Sequence, residues 1–211
     1  MSKIIMFIFC INLLQGEGAE DISFRYGFMG QLQSNPDSII ELGDKSLVHT
    51  GDEVQINIGY VNDSYFYLIY LDSDGNYFLN LPEDSRDDNK QDTLYATILQ
   101  GGLTNPPGNE TFYLLNSNEP MSELTKLLSR YESAPNKAKI KLAKKIQVEL
   151  DALDPNAKAE LSSIASRLDK PLVGGVTFRG DGDDELKDMS LTHECRGTGG
   201  IAFIKIVLNH K

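Results

Sequence analysis

An imidazole, a carboxylate and a thiol are adjacent in the segment His193-Glu194-Cys195. A thiolate nucleophile needs a nearby base or cation that lowers the pKa of its thiol. If the segment is a strand, His193 and Cys195 share one face. Because active dyads usually combine distant segments, His49 or His210 is an equally suitable imidazole partner. The sequence therefore leaves three interpretations open: a thiol-dependent enzyme that uses Cys195, a cysteine without a chemical role, or a disulfide between two chains through Cys195 in an oxidising compartment.

Two acidic turns invite a calcium interpretation, since Ca²⁺ prefers clustered oxygen ligands. They are Asp72-Ser73-Asp74-Gly75 and Asp181-Gly182-Asp183-Asp184-Glu185. Neither matches an EF-hand loop, because the first has its glycine at the fourth position and the second has Leu186 at the sixth. A hairpin turn and a solvated loop are the simpler interpretations. We predict no metal site and no cofactor, and keep a calcium-dependent binding module as an alternative.

Four lysines, Lys137, Lys141, Lys144 and Lys145, fall on one side of a predicted helix. Its apolar residues fall on the opposite side. A basic helical face of this kind suits an acidic partner or an anionic lipid surface, although many such faces are simply solvated. These four lysines are the predicted binding residues.

Charge is distributed unevenly along the chain. The segment Pro120–Lys170 has 10 basic and 7 acidic residues, whereas the remainder beyond residue 18 has 9 basic and 23 acidic residues. An acidic body argues against nucleic-acid binding, whose affinity depends on neutralising phosphates. The predicted partner is another envelope or secreted protein, with peripheral contact with an anionic membrane surface as a further possibility.

The first 18 residues are typical of a signal peptide. Lys3 precedes an apolar run from Ile4 to Leu14, and small residues follow it. We therefore expect a periplasmic or secreted protein. Cleavage after residue 18 would remove Cys10 and leave Cys195 without an intramolecular partner, so that stability comes from packing.

Alternating or β-branched runs predict a mostly antiparallel sheet structure. The chain from Glu20 to Gly43 is ambiguous, with the alternation Ile22, Phe24, Tyr26 typical of an edge strand. The other predicted strands are Glu53–Ile58, Tyr65–Leu71, Tyr77–Leu81, Thr93–Leu99, Thr111–Asn116, Leu172–Phe178 and Ile201–Leu208.

Helical periodicity replaces the strand pattern after Pro120. It predicts a helix from Pro120 to Tyr131, a second from about Asn136 to Leu153, and a third from Asp154, which would act as its cap, to Leu168. The predicted fold class is α+β: a mostly antiparallel β-sandwich-like domain with a three-helix insertion before the C-terminal strands. The predicted boundaries are 19–119 for the first part of the β domain, 120–170 for the insertion and 171–211 for the strands that complete the domain.

The stretch Leu47–Pro120 resembles the bacterial family called domain of unknown function 4384. The shared features are a Gly-Asp before a polar-apolar strand (Gly51-Asp52), a Tyr-rich strand that ends in an acidic-glycine turn (Tyr65 to Gly75) and a Leu-Pro that closes the next strand (Leu81-Pro82). The resemblance implies an extracytoplasmic or accessory β module and supplies no catalytic residue. The family usually has Phe-Pro-Asn where this chain has Leu-Pro-Glu.

From these observations we expect an exported, non-enzymatic binding or assembly accessory protein of the bacterial cell envelope. The basic helical segment is its expected contact surface. The thiol-dependent enzyme and the calcium-dependent module are the alternatives.

Overall fold

A computed structural model describes residues 21–61, 63–81, 93–153, 160–163 and 191–211. These residues form a strand-rich α+β structure with two β-sheets and two helices.

The first sheet, sheet A, contains four strands from the N-terminal half of the chain together with two later strands. Its members are β1 (Ile22–Gln31), β2 (Ile39–Glu41), β4 (Glu53–Val61), β7 (Thr93–Gly102), β9 (Glu160–Ser163) and β10 (His193–Gly197). The order is β7-β4-β1-β10-β9, and β2 pairs with the free end of β1 beyond β10. All pairs are antiparallel.

The second sheet, sheet B, has the order β3-β11-β8-β5-β6. Its members are β3 (Leu47–Val48), β5 (Tyr65–Leu71), β6 (Tyr77–Asn80), β8 (Gly108–Ser117) and β11 (Ile201–His210). The pair β11 and β3 is parallel and the other pairs are antiparallel.

The main hydrophobic core lies between the two sheets. Sheet A contributes side chains such as Phe24 and Ile56, and sheet B contributes Leu68, Leu114 and Ile204. Burial of these apolar side chains is the main favourable contribution to folding, at about 1.5–3 kcal/mol for each large side chain.

Two helices, α1 (Ser122–Glu132) and α2 (Asn136–Leu153), cover the other face of sheet B. Ile146 and Leu150 of α2 are fully buried in a second core that also contains Tyr113 and Phe203 of the sheet. Sheet B is thus buried on both faces. This explains why Tyr65–Leu71 is a nearly continuous apolar run and not an alternating one.

Most of the described elements lie where the sequence predicts them. The bounds of β5 and α2 match the predicted ranges, and β4, β6, β7, β8 and β11 contain or nearly coincide with the predicted strands. The segment around Ile22, which the sequence left ambiguous, forms β1, and β1 is a central strand between β4 and β10 although its alternation is also typical of an edge strand.

The predicted three-helix insertion is wrong in its third helix. The described part of that region, Glu160–Ser163, is strand β9, whose backbone pairs with β10. A distant strand thus supplies the hydrogen bonds that the local helical pattern would otherwise have made internally. The predicted signal peptide, the predicted strand Leu172–Phe178 and the acidic turn Asp181–Glu185 lie outside the described residues.

Candidate functional site

The side of α2 that faces away from sheet B carries the predicted binding lysines. Leu142, Ile146 and Leu150 recur every four residues and turn toward the sheet. Residues on the opposite side of the same helix must therefore face outward. The structure places all four predicted lysines there, each exposed: Lys137, Lys141, Lys144 and Lys145.

None of these four lysines makes an ion pair with a carboxylate in the described part of the chain. The fifth lysine of α2 differs, because the Lys139 Nζ lies 5.1 Å from the centre of the Tyr131 ring. Asp151, near the end of the helix, accepts a hydrogen bond from the Gln147 amide at 2.7 Å. The four lysine charges are consequently available to an external anion.

Two aliphatic side chains are exposed among the lysines. Ile140 is 66 % exposed and Val148 is 65 % exposed, which makes them the most exposed of the large apolar side chains in the described residues. Sequence reasoning missed both. The available signal was their angular position, since each lies three or four residues from a lysine of this face and away from the Leu142–Leu150 stripe. We call the six residues the α2 outer face: Lys137, Ile140, Lys141, Lys144, Lys145 and Val148.

Cys195 lies in the core between the sheets and is fully buried. Burial raises the pKa of its thiol to about 12, and the Glu194 carboxylate adds to this, while a hydrogen bond with the Phe203 backbone opposes it. A thiol with this pKa is almost entirely protonated near neutral pH. The structure therefore gives no support to a thiolate nucleophile at this position.

The histidines considered as partners for Cys195 have other contacts. His193 pairs with the Glu41 carboxylate, and its ring stacks on Tyr26 with a centroid separation of 5.1 Å. The His49 Nδ1 lies 3.8 Å from the Asp52 carboxylate. No thiol–imidazole pair forms among these residues.

A buried polar network that sequence reasoning missed joins β5, β8 and β11. The Tyr70 hydroxyl donates a hydrogen bond to Glu110 Oε2 at 2.6 Å, and His210 Nδ1 lies 3.0 Å from Glu110 Oε1. His210 Nε2 lies 2.9 Å from the hydroxyl of Thr50, which in turn donates to Asn105 Oδ1 at 3.3 Å. No local signal could have found the network, because Glu110 and His210 are 100 residues apart.

The order hydroxyl, imidazole, carboxylate in this network is the order of a hydrolase triad. The exposed fraction of the His210 side chain is 0 % and that of Glu110 is 3 %. A general base must reach the proton that it abstracts from a bound reactant, and an imidazole enclosed in this way does not. The arrangement instead satisfies buried polar groups where the ends of two strands meet.

The Gly51-Asp52 pair of the family resemblance has a structural role. The buried Asp52 carboxylate accepts hydrogen bonds from the backbone N–H groups of Gln33 at 2.8 Å and His49 at 2.7 Å. Gly51 has a φ of +91°, a conformation that side chains with a Cβ rarely adopt. The pair fixes the turn into β4, so its role is structural.

The first acidic turn is a hairpin turn. The two carboxylate oxygens of Asp72 accept hydrogen bonds from the backbone N–H of Asn76 at 2.7 Å and from its side-chain amide at 3.0 Å. Gly75 supplies the positive φ of the turn. Within the described ranges, no group of three or more His, Cys, Asp or Glu side chains is arranged to hold a metal ion.

A groove of about 880 Å³ lies between β5 and α1, with Tyr65, Tyr67, Leu81 and Leu127 among its lining residues. The chain leaves the described range directly after Leu81, at the rim of this groove. The α2 outer face consists entirely of described residues, and it is the candidate functional site.

The chain shows no match in comparisons with protein-family models, curated proteins and solved structures. Neither of the two described helices combines the length and the apolar character needed to cross a membrane.

Proposed function

We propose that this chain is an exported, non-enzymatic binding or assembly accessory protein of the bacterial cell envelope, and that its contact surface is the α2 outer face. The observation that carries the proposal is the combination of four exposed lysines, which make no ion pair among the described residues, with two exposed aliphatic side chains on one side of one helix. Lysine charges attract an anionic partner over a distance, and desolvated aliphatic side chains contribute short-range affinity.

The proposal includes the domain organisation expected from the sequence. Residues 1–18 act as a signal peptide, and 19–119 and 171–211 form one β-sandwich-like domain. The expected insertion, residues 120–170, supplies the two helices, whereas its Glu160–Ser163 is strand β9 of sheet A and so belongs to the β domain. The helical layer of the described structure is consistent with this, because α1 and α2 pack on a sheet that contains strands from both sides of the insertion.

The two alternative functions have weaker support. A thiol-dependent enzyme requires a reactive Cys195, and this thiol is buried with a raised pKa. A calcium-dependent module would use carboxylate oxygens of the acidic turns; those of Asp72 accept hydrogen bonds from Asn76, and the turn Asp181–Glu185 lies outside the described residues.

The test uses two triple variants with the same change in net charge. The first replaces Lys141, Lys144 and Lys145 of the α2 outer face with glutamine. The control replaces Lys45, Lys126 and Lys211, which are exposed elsewhere, with glutamine. The measured quantity is the fraction of the protein that sediments with intact envelope.

We expect the first variant to leave the envelope fraction while the control variant remains with it. Circular dichroism and the melting temperature of both variants establish that the fold is retained. Equal sedimentation of the two variants and the unmodified protein would contradict the proposal, because the α2 outer face would then play no part in the association.

A further inference from the structure

We infer that the α2 outer face binds the anionic headgroup surface of a phospholipid bilayer. This inference rests on the proposed function and names the partner of the same surface. Three observations support it: the residue types on the face, the geometry of the face, and the charge of the rest of the protein.

The composition of the face differs from that of a typical protein–protein interface. Such interfaces are enriched in aromatic residues and arginine and depleted in lysine. The six residues of the face are four lysines and two aliphatic residues, with no aromatic residue and no arginine. The exposed Asp151 lies at the C-terminal end of the same side, where it accepts a hydrogen bond from Gln147. Lysines around apolar side chains are instead typical of helices that lie on an anionic membrane.

The geometry of the face suits a flat partner. The six residues extend from Lys137 to Val148, a rise of roughly 17 Å along a straight helix at 1.5 Å per residue. Helix α2 belongs to the layer outside sheet B, so its outward side is not enclosed by the sheets. Ile140 and Val148 can enter the headgroup region while the flexible lysine stems carry their ammonium groups to the lipid phosphates.

The charge of the protein outside the helical segment determines how the protein is oriented on the membrane. Among the described residues outside 120–170, 12 side chains are acidic and 5 are basic, and an anionic bilayer repels this net negative charge. The orientation that turns the α2 outer face toward the membrane is therefore the favoured one. Binding of this type weakens at high ionic strength, because salt screens exposed charges.

The expected effect of removing lysines follows from their individual contributions. Each lysine near an anionic surface increases the partition coefficient about fivefold, so the loss of three lowers it on the order of 100-fold. Replacing Ile140 and Val148 with serine leaves the charge unchanged and lowers the coefficient by about tenfold, because two partly exposed aliphatic side chains no longer enter the interface.

The experiment measures co-sedimentation of the purified protein with two kinds of unilamellar vesicle. One contains phosphatidylethanolamine and phosphatidylglycerol, and the other contains phosphatidylcholine alone. The variants are Lys141→Gln/Lys144→Gln/Lys145→Gln and Ile140→Ser/Val148→Ser. Their matched controls are the Lys45, Lys126 and Lys211 triple variant and Leu47→Ser, which changes an exposed apolar residue on sheet B.

We expect the unmodified protein and both controls to bind the phosphatidylglycerol vesicles at low salt and to leave the phosphatidylcholine vesicles in solution. The two α2 variants should lose binding by the stated factors. Absence of binding to phosphatidylglycerol vesicles, or equal binding by α2 and control variants, would overturn the inference.

The outcome also separates this inference from the proposed function. If association with intact envelope depends on the three lysines but the vesicles are not bound, the face recognises an acidic protein and the lipid assignment is wrong. If neither association depends on the lysines, the inference and the proposed function both fail.

Discussion

Replacing Tyr70 with phenylalanine tests whether the buried network at the ends of β8 and β11 stabilises the fold. The substitution removes one hydroxyl, which donates a hydrogen bond to Glu110 Oε2 at 2.6 Å. The ring remains, so its stacking on Phe112 at a centroid separation of 4.9 Å is retained. The change therefore isolates one polar contact from its apolar surroundings.

The magnitude follows from the burial of the acceptor. Glu110 is 2 % exposed, so water cannot replace the lost donor. Leaving a buried acceptor without its donor costs about 1–3 kcal/mol. We expect a loss of about 2 kcal/mol in the free energy of unfolding. For a protein of this size that corresponds to a decrease of roughly 4–8 °C in Tm.

The assay is urea unfolding followed by circular dichroism, with Tyr65→Phe as the control. Tyr65 is 44 % exposed, and its hydroxyl has no hydrogen-bond partner in the described part of the chain. The control should change the free energy of unfolding by less than about 0.5 kcal/mol. Equal m-values for all proteins would show that the two-state comparison holds.

A double-mutant cycle with Glu110→Gln sharpens the test. If the hydroxyl and the carboxylate interact as the 2.6 Å contact indicates, the two effects are not additive, and their coupling energy is at least about 0.5 kcal/mol. Strict additivity, or a Tyr70→Phe variant as stable as the control, would refute the reasoning that Glu110 depends on this donor.

Three further predictions concern the core and the titrating groups. Cys195 should not react with a mild thiol reagent in the folded protein at mildly alkaline pH, because burial raises the pKa of its thiol to about 12. It should react after unfolding. Mass spectrometry of the peptide that contains Cys195 measures the labelling. Burial also raises the pKa of the Tyr26 and Tyr70 phenols, so the folded chain binds these protons more tightly than the unfolded chain. The contribution of these two phenols to the free energy of unfolding is complete below about pH 10 and declines as the pH rises further. Unfolding curves in an alkaline series measure this decline, and a free energy of unfolding that stays unchanged above about pH 10 would contradict the prediction. Ile146→Ala should lower the free energy of unfolding by about 2–5 kcal/mol, because this side chain is fully buried. Ile140→Ala should lower it by less than about 0.5 kcal/mol, because this side chain is exposed. Equal denaturation midpoints for the two variants would be inconsistent with the orientation of α2.

The sequence predicts those elements whose signals are local. Tyr65–Leu71 is rich in aromatic and β-branched residues next to a turn with Gly75, and it forms β5. The repeat Leu142, Ile146, Leu150 identifies both the helix and its buried side. In each case the pattern and the environment agree, because the periodicity of the backbone determines which side chains face the core.

The sequence fails where tertiary pairing decides the structure. Asp154 and Pro155 have the residue types of a helix start, yet Glu160–Ser163 pairs with β10 instead. Likewise, the alternation at Ile22–Tyr26 cannot distinguish an edge strand from a central one, because the neighbours of β1 come from distant parts of the chain.

The same distinction applies to the candidate site. A helical projection is sufficient to place Lys141 and Lys144 away from the core, and it would also have placed Ile140 and Val148 there had apolar residues outside the main stripe been considered. No projection brings Glu110 to His210, since that contact depends on the antiparallel register of β8 and β11.

The buried polar groups and the exposed lysines have different roles in this architecture. Cys195 is enclosed between the sheets, and Glu110 and Asp52 are held by hydrogen bonds that fix strand ends and turns. Using any of them in chemistry would mean removing a contact that stabilises the fold. Within the described residues, Lys137, Lys141, Lys144 and Lys145 make no such contact, so these four lysines can occupy the outer layer at little cost in stability. Recognition through α2 is therefore compatible with the stability of the fold, whereas catalysis at the buried groups would compete with it.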